Sequence, residues 1–449
     1  MAGPFDSTAI SRRAFLGGAG LVLLGATGAR YPGPNDLQPA RAAVPLRKCV
    51  SMGPLNIAEG DDQDLRAHGN LDLLTSTGTR WVKLWVRWDQ VQPLPASSVP
   101  FDRLGDPVAN PGYPFLAALD AQIELARAQS PPIGVVLTPW LFPKWANGTS
   151  DLVDAIPGDR AFFPEDRLAA GDHAQGDPEG AAKKLFYRVP PAAELEPDGL
   201  WGRWIDFLYR RYAHHGDGVV LEVMNEPNLQ WWPQRDAAPG GDPFELGELA
   251  APRAAARMMA TAQAIGERNG NQLLLGGPAV WDGPKRGASQ SRLWTGYEEF
   301  TARLLDELDE VGFRAGERFV WTQHNYMDTL FGHGRPGSPS NRAARTRSLL
   351  VDRWSGLGGP KTPEVWLTEG GADLRERVVG ADRELQARLV GENWNRMADA
   401  GGDGAGIGMV TNYLGYSEFH YDTGMREPLE AGGVSRPLER TWRELPARG

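Results

Sequence analysis

Apolar residues along this chain gather in short runs rich in β-branched and aromatic side chains, and between the runs apolar positions recur three or four residues apart. Eight runs of the first kind stand out, at 48–52, 80–86, 133–138, 219–224, 273–276, 319–324, 364–368 and 408–411. The segments between them read as amphipathic helices at 65–75, 114–128, 200–212, 252–268, 294–311, 342–354 and 382–400, with 438–445 left for the last. The periodicity is plainest in Phe300, Leu304, Leu305, Leu308 and Val311, one face of a 3.6-residue helix. Strands alternating with helices are the pattern of a parallel sheet, and eight repeats predict a closed (β/α)8 TIM barrel with long βα loops. A doubly wound open sheet is the alternative, but no G-x-G-x-x-G motif follows the first strand.

Two stretches break the pattern. Residues 140–199 and 229–248 are rich in Pro, Gly and Asp and lack periodicity, so they read as insertions after strands three and four. Ahead of the first strand, Ser11-Arg12-Arg13-Ala14-Phe15-Leu16 precedes a Gly/Ala/Leu-rich stretch from Gly17 to Ala29 and an Ala40-Arg41-Ala42 site. That order resembles a twin-arginine export signal. The apolar stretch falls short of the ~20 residues of a spanning helix. The expected division is a signal at 1–42 and one catalytic domain at 43–449, working outside the cytoplasm, extracellular or in the cell envelope.

Composition narrows the partners. Net charge is −10, and the first 42 residues contribute +2, leaving −12 for the rest, which argues against nucleic acid and anionic membrane. A lone cysteine, Cys49, excludes an intrachain disulfide and reads as a buried hydrophobe. No His/Cys spacing matches a zinc site, so no metal or cofactor is expected. Sixteen Trp suit a protein with aromatic binding surfaces as well as a packed core.

Two strands end in glutamate. The apolar run at 219–224 stops in Asn225-Glu226-Pro227, and Val365-Trp366-Leu367-Thr368 stops in Glu369-Gly370-Gly371. In a barrel both carboxyls lie at the C-terminal mouth, where catalytic groups gather. These motifs resemble those of retaining glycoside hydrolases of clan A, with likeness to families five and thirty-nine. The resemblance implies Glu226 as acid/base and Glu369 as nucleophile, with Asn225 on the substrate's 2-hydroxyl. It extends to His324 and Tyr326, a His-x-Tyr element whose tyrosine bonds the nucleophile, and to Gly276-Gly277-Pro278-Ala279. At strand two, where the clan carries an arginine, this chain has Lys83, with Arg87 four residues on. Tyr413 stands where relatives place a tryptophan, and Trp140, Trp231, Trp232 and Trp281 follow strands as candidate sugar platforms.

The chemistry accounts for the pairing. A glycosidic oxygen leaves well only when protonated, and the cation-like anomeric carbon needs a nucleophile on its other face, so one carboxyl must be neutral while the other is ionised. The expected substrate is a neutral, β-linked oligo- or polysaccharide and the expected state a monomer or weak homo-oligomer. A transglycosylase on the same site and a carbohydrate-binding barrel without catalysis are the rivals. Asp61-Asp62-Gln63-Asp64 reads as an acidic helix start rather than a calcium loop, His214-His215 as a helix C-terminus, Glu222 as a barrel-interior position, and Asp373 as a loop residue within reach of substrate.

Overall fold

A computed structural model describes residues 46–52, 65, 69–148, 189–229, 232, 250–283, 295–332, 342–361, 363–398, 406–417 and 422–446. The export signal, Asp61 to Asp64 and Trp231 lie outside the described residues, as do most of the insertions after strands three and four.

Eight parallel strands close in sequence order: β1 (Arg47–Ser51), β2 (Trp81–Arg87), β3 (Gly134–Trp140), β4 (Val219–Glu222), β5 (Leu274–Trp281), β6 (Phe319–His324), β7 (Val365–Glu369) and β8 (Ile407–Tyr413). Register from Arg47↔Met409 to Ser51↔Tyr413 pairs β8 with β1 and leaves no sheet edge. The helices among the described residues are α1 (Asn70–Ser76), α2 (Trp88–Val91), α3 (Tyr113–Arg127), α4 (Leu200–Tyr212), α5 (Ala251–Arg268), α6 (Tyr297–Glu310), α7 (Tyr326–Phe331), α8 (Arg342–Gly356), α9 (Arg383–Ala398) and α10 (Pro437–Glu444). This is the expected (β/α)8 barrel, and the short α10 supplies its last helix.

The inside of the barrel is stratified because strand side chains alternate. Cys49, Val136, Val220, Val320, Trp366 and Met409, with Trp81 and Leu274 packed against them, form an apolar cluster of their own to which every strand contributes one residue. Burial there pushes the Cys49 thiol up to about 12, so it behaves as a small hydrophobe. Two residues further along each strand stand Ser51, Lys83, Thr138, Glu222, Gly276, Thr322, Thr368 and Thr411, all buried and nearly all polar. Beyond this polar tier come Trp85, Trp140, His324 and Tyr413 at the C-terminal mouth. Outside the strands, the larger apolar core runs between sheet and helices.

Closure of the ring has its own chemistry. Buried Lys48 on β1 donates to the carbonyls of Trp442 on α10 at 2.6 Å and Thr77 after α1 at 3.2 Å. Trp442 packs edge-on against Trp394 of α9, and its indole donates to Thr79 Oγ1. The last helix is thereby tied to the first strand through Lys48 and to α9 through Trp442.

Candidate active site

Backbone geometry at the mouth differs from that in the strands. Leu141, Glu226 and Leu414, past the ends of their strands, and Ala279, at an irregularity within β5, hold φ of 55°, 45°, 71° and 55°, values costly for residues with a side chain. Glu226 is fixed in this conformation by its neighbours: its N–H donates to Ala279 O at 3.1 Å. Two residues on, Asn228 accepts from Trp281 N and donates to the carbonyls of Trp281 and Thr295, a buried bracket joining the β4 and β5 loops. On the facing side, a register shift between Gln323 and His324 sets His324 opposite Glu369. Gly370 then leaves room for the Asn325 amide, whose oxygen lies 2.0 Å from where a Cβ would stand.

These devices converge on one cluster. A carboxylate oxygen of Glu226, one of Glu369 and a ring nitrogen of His324 all lie within 4.8 Å of one another. His324 Nδ1 is 2.9 Å from Glu226 Oε1, and its Nε2 is 3.5 Å from Glu369 Oε1. Glu369 accepts from Lys83 Nζ at 2.9 Å and from the Tyr326 hydroxyl at 2.8 Å. Both glutamates are almost wholly buried, so each polar contact acts in a low dielectric.

Lys83 has a second partner that sequence reading left as an interior position. Glu222 Oε2 is 2.7 Å from Lys83 Nζ, and the glutamate also accepts from Thr138 and Thr368 at 2.7 and 2.6 Å. Burial alone would lower the Lys83 ammonium, but Glu222 and Glu369 together hold it above its usual range. Glu222 is the mirror case: burial favours its neutral form, yet Lys83 chiefly, and His324, keep it below the usual carboxylate range. The signal was present in the sequence, since a lysine and a glutamate each embedded in an apolar barrel strand require one another.

The remaining predicted residues fall in several places. Asn225 lines a cavity beside Trp140 and Trp232, its Oδ1 buried without a hydrogen-bond partner and its carbonyl accepting from Trp232 Nε1 at 3.2 Å. Trp232 packs on Phe142, while Trp140 meets Trp85 edge-on at 5.4 Å. Trp281 is buried, its ring lying where a side chain on Gly283 would stand. Tyr413 meets Tyr326 edge-on at 6.0 Å. Arg87 is turned to Asp89, at 2.7 Å, so the cation on Glu369 is Lys83. Asp373 is engaged by Arg375.

Sequence reading also missed what holds Tyr326. The carboxyl of Asp282, directly after β5, accepts from the N–H groups of Met327 and Asp328 at 3.0 and 2.9 Å and so anchors the first turn of α7. Burial and the neighbouring Asp328 push Asp282 up to about 7.

No protein-family model matches the chain, and no curated protein matches it. Solved structures do match. Fpglu1 from Fervidobacterium pennivoraus shares 11% identity over 89% of this chain and 94% of its own, with a TM-score of 0.52. A glucosidase from Croceicoccus marinus shares 15% over 89% and 67%, at 0.49. A family 39 glycoside hydrolase from Bacteroides cellulosilyticus WH2 shares 13% over 89% and 63%, at 0.46. Family 5 endoglucanases are among the other matches. At such identities the likeness is one of fold: the chain is a (β/α)8 barrel whose structural neighbours include glycoside hydrolases of families 5 and 39.

Proposed function

We propose that the protein is an exported retaining glycoside hydrolase acting on a neutral, β-linked oligo- or polysaccharide, with Glu226 as acid/base and Glu369 as nucleophile. The observation that carries this is the approach of the two carboxylates, oxygens of Glu226 and Glu369 lying within 4.8 Å at the barrel mouth. Retaining enzymes keep these groups about 5–5.5 Å apart, whereas inverting ones need roughly 6.5–9.5 Å to admit a water. In the first step Glu226 gives its proton to the glycosidic oxygen as Glu369 attacks the anomeric carbon. A covalent glycosyl-enzyme forms and the alcohol departs. In the second step Glu226 takes a proton from water, which displaces Glu369 and restores the configuration. Lys83 and Tyr326 place a positive charge and a hydrogen-bond donor on Glu369, and His324 holds Glu226 toward it. Asn225 Oδ1, buried and unpaired, is available to a sugar hydroxyl. No step calls for a cofactor, and the net charge of −10 suits an uncharged substrate.

The twin-arginine signal at 1–42 would deliver a folded domain starting near Ala43. Replacing Arg12 and Arg13 together by lysine should leave the precursor in the cytoplasm. The catalytic reading is tested with the mature protein on a panel of neutral polysaccharides, following reducing-sugar release and the anomer first formed. Glu369→Ala should abolish release, and azide should restore part of it with inverted product. Release unchanged in that variant, or a first product of inverted configuration in the native enzyme, overturns the reading.

A further inference from the structure

A second cluster of ligating side chains lies on the helical layer at the opposite end of β4 from the catalytic mouth. Along α3, Asp120 binds Arg211 and accepts from the Tyr212 hydroxyl at 2.9 Å, stitching α3 to α4. One helical turn further on, Glu124 Oε1 is 3.3 Å from both His214 Nε2 and His215 Nε2, in the turn Ala213–Gly218 that leads into β4. The two imidazoles lie side by side with their planes tilted by 40°, ring centroids 3.9 Å apart, and one atom from each of the three residues falls within 4.8 Å of the others.

We propose that Glu124, His214 and His215 form a binding site for a divalent transition ion of the zinc class. The donor set is two imidazoles and one carboxylate, which suits zinc and its neighbours rather than the all-oxygen shells of calcium or magnesium. The spacing suits it as well. Metal–ligand bonds of about 2.0–2.2 Å at the tetrahedral angle place ligand atoms roughly 3.3–3.5 Å apart. The Glu124 oxygen lies 3.3 Å from each of the two imidazole nitrogens, the separation that two ligands of one such ion require.

The His215 side chain is only 7% exposed, and its Nε2 is directed at the Glu124 oxygen, 3.3 Å away. Glu124 and His214 are 63% and 61% exposed, so solvent can fill the fourth position and ions can reach the site.

The consequence is structural. An ion here clamps α3 to the turn that feeds β4, the strand that ends at Glu222 and leads on to Glu226, without touching the mouth. The test uses the mature chain stripped of metal by a chelator, then titrated with zinc sulfate by calorimetry and by thermal unfolding. His214→Ala and Glu124→Gln, both at exposed positions, should weaken this binding at least tenfold and remove the zinc-dependent rise in Tm, with hydrolysis unchanged. Glu226→Gln serves as a control for zinc held by the other glutamate–histidine cluster and should keep the site. Zinc stoichiometry and Tm shift identical in the native chain and the double variant His214→Ala/Glu124→Gln overturn the proposal. So does a lower Tm in that variant with no response of either protein to zinc, which would make the cluster a plain ion pair.

Discussion

Lys83 stands between two carboxylates that need it for different reasons. Glu369, the proposed nucleophile, has it as its cationic partner, and Glu222, fully buried, needs a cation to be tolerated at all. The two needs separate by mutation. Lys83→Met should lower kcat on the order of a hundredfold or more and destabilise the fold by about 3–5 kcal/mol, because Glu222 is left buried and uncompensated. Adding Glu222→Gln removes that stranded charge, so the double variant should regain much of the stability and none of the kcat. Denaturant unfolding and steady-state kinetics on the same three proteins check both halves. Tyr326→Phe is the milder probe: losing one hydrogen bond to a buried carboxylate, about 1.5–3 kcal/mol, should reduce kcat roughly ten- to a hundredfold with little change in KM.

Elements were legible to the extent that their pattern is local. All eight strands and the principal helices fall where hydrophobic period places them, because a β-strand of a parallel barrel is nearly all apolar and its flanking helices carry a single apolar stripe. What escaped was α7, which leaves β6 through Asn325 alone with no turn residues to announce it, and whose first N–H groups are satisfied by Asp282 from another strand. A cap 45 residues away in the chain has no local signature. Glu226 and Glu369 were legible as strand-end glutamates and Glu222 as an interior one, but its pairing with Lys83 takes form only once β2, β3 and β4 lie side by side in the barrel. The same holds for closure by α10, eight residues long and anchored by Leu438 and Trp442. Trp442→Ala should cost about 3–5 kcal/mol as a core truncation. Because the seam lies far from the mouth, kcat of the protein still folded should be unchanged, measured below the onset of unfolding.

Across the whole molecule, acids shifted by burial or by a charged partner divide into two groups whose pH dependences oppose each other. Glu222, Glu427 and Glu439 have folded pKa values below their ordinary 4.5. The first is held there by Lys83, the second by hydrogen bonding from Arg436, and the third by Arg426 against its own burial. A lowered acid stabilises the fold above its unfolded value, and that contribution disappears as pH falls through the folded one. Asp282 and Glu307 are raised by burial, Asp282 to about 7 from 3.8, so the folded state holds their protons longer and loses stability as pH rises through that interval. Lys83, raised from 10.5, contributes fully below that value and loses its contribution only as pH climbs through the folded one. Above about 4.5 the lowered acids give their full contribution, while Asp282 loses stability all the way up to about 7, so the two groups together place maximum stability near 4.5, where the net negative charge is also shrinking. A Tm profile in closely spaced buffers should rise as pH falls from about 7 toward that maximum and fall below it. Asp282→Asn should flatten the rise and Glu222→Gln should soften the acid fall, each acting on its own limb. A profile that peaks above neutrality, or limbs that move together in both variants, would mean that these buried acids do not govern the pH response.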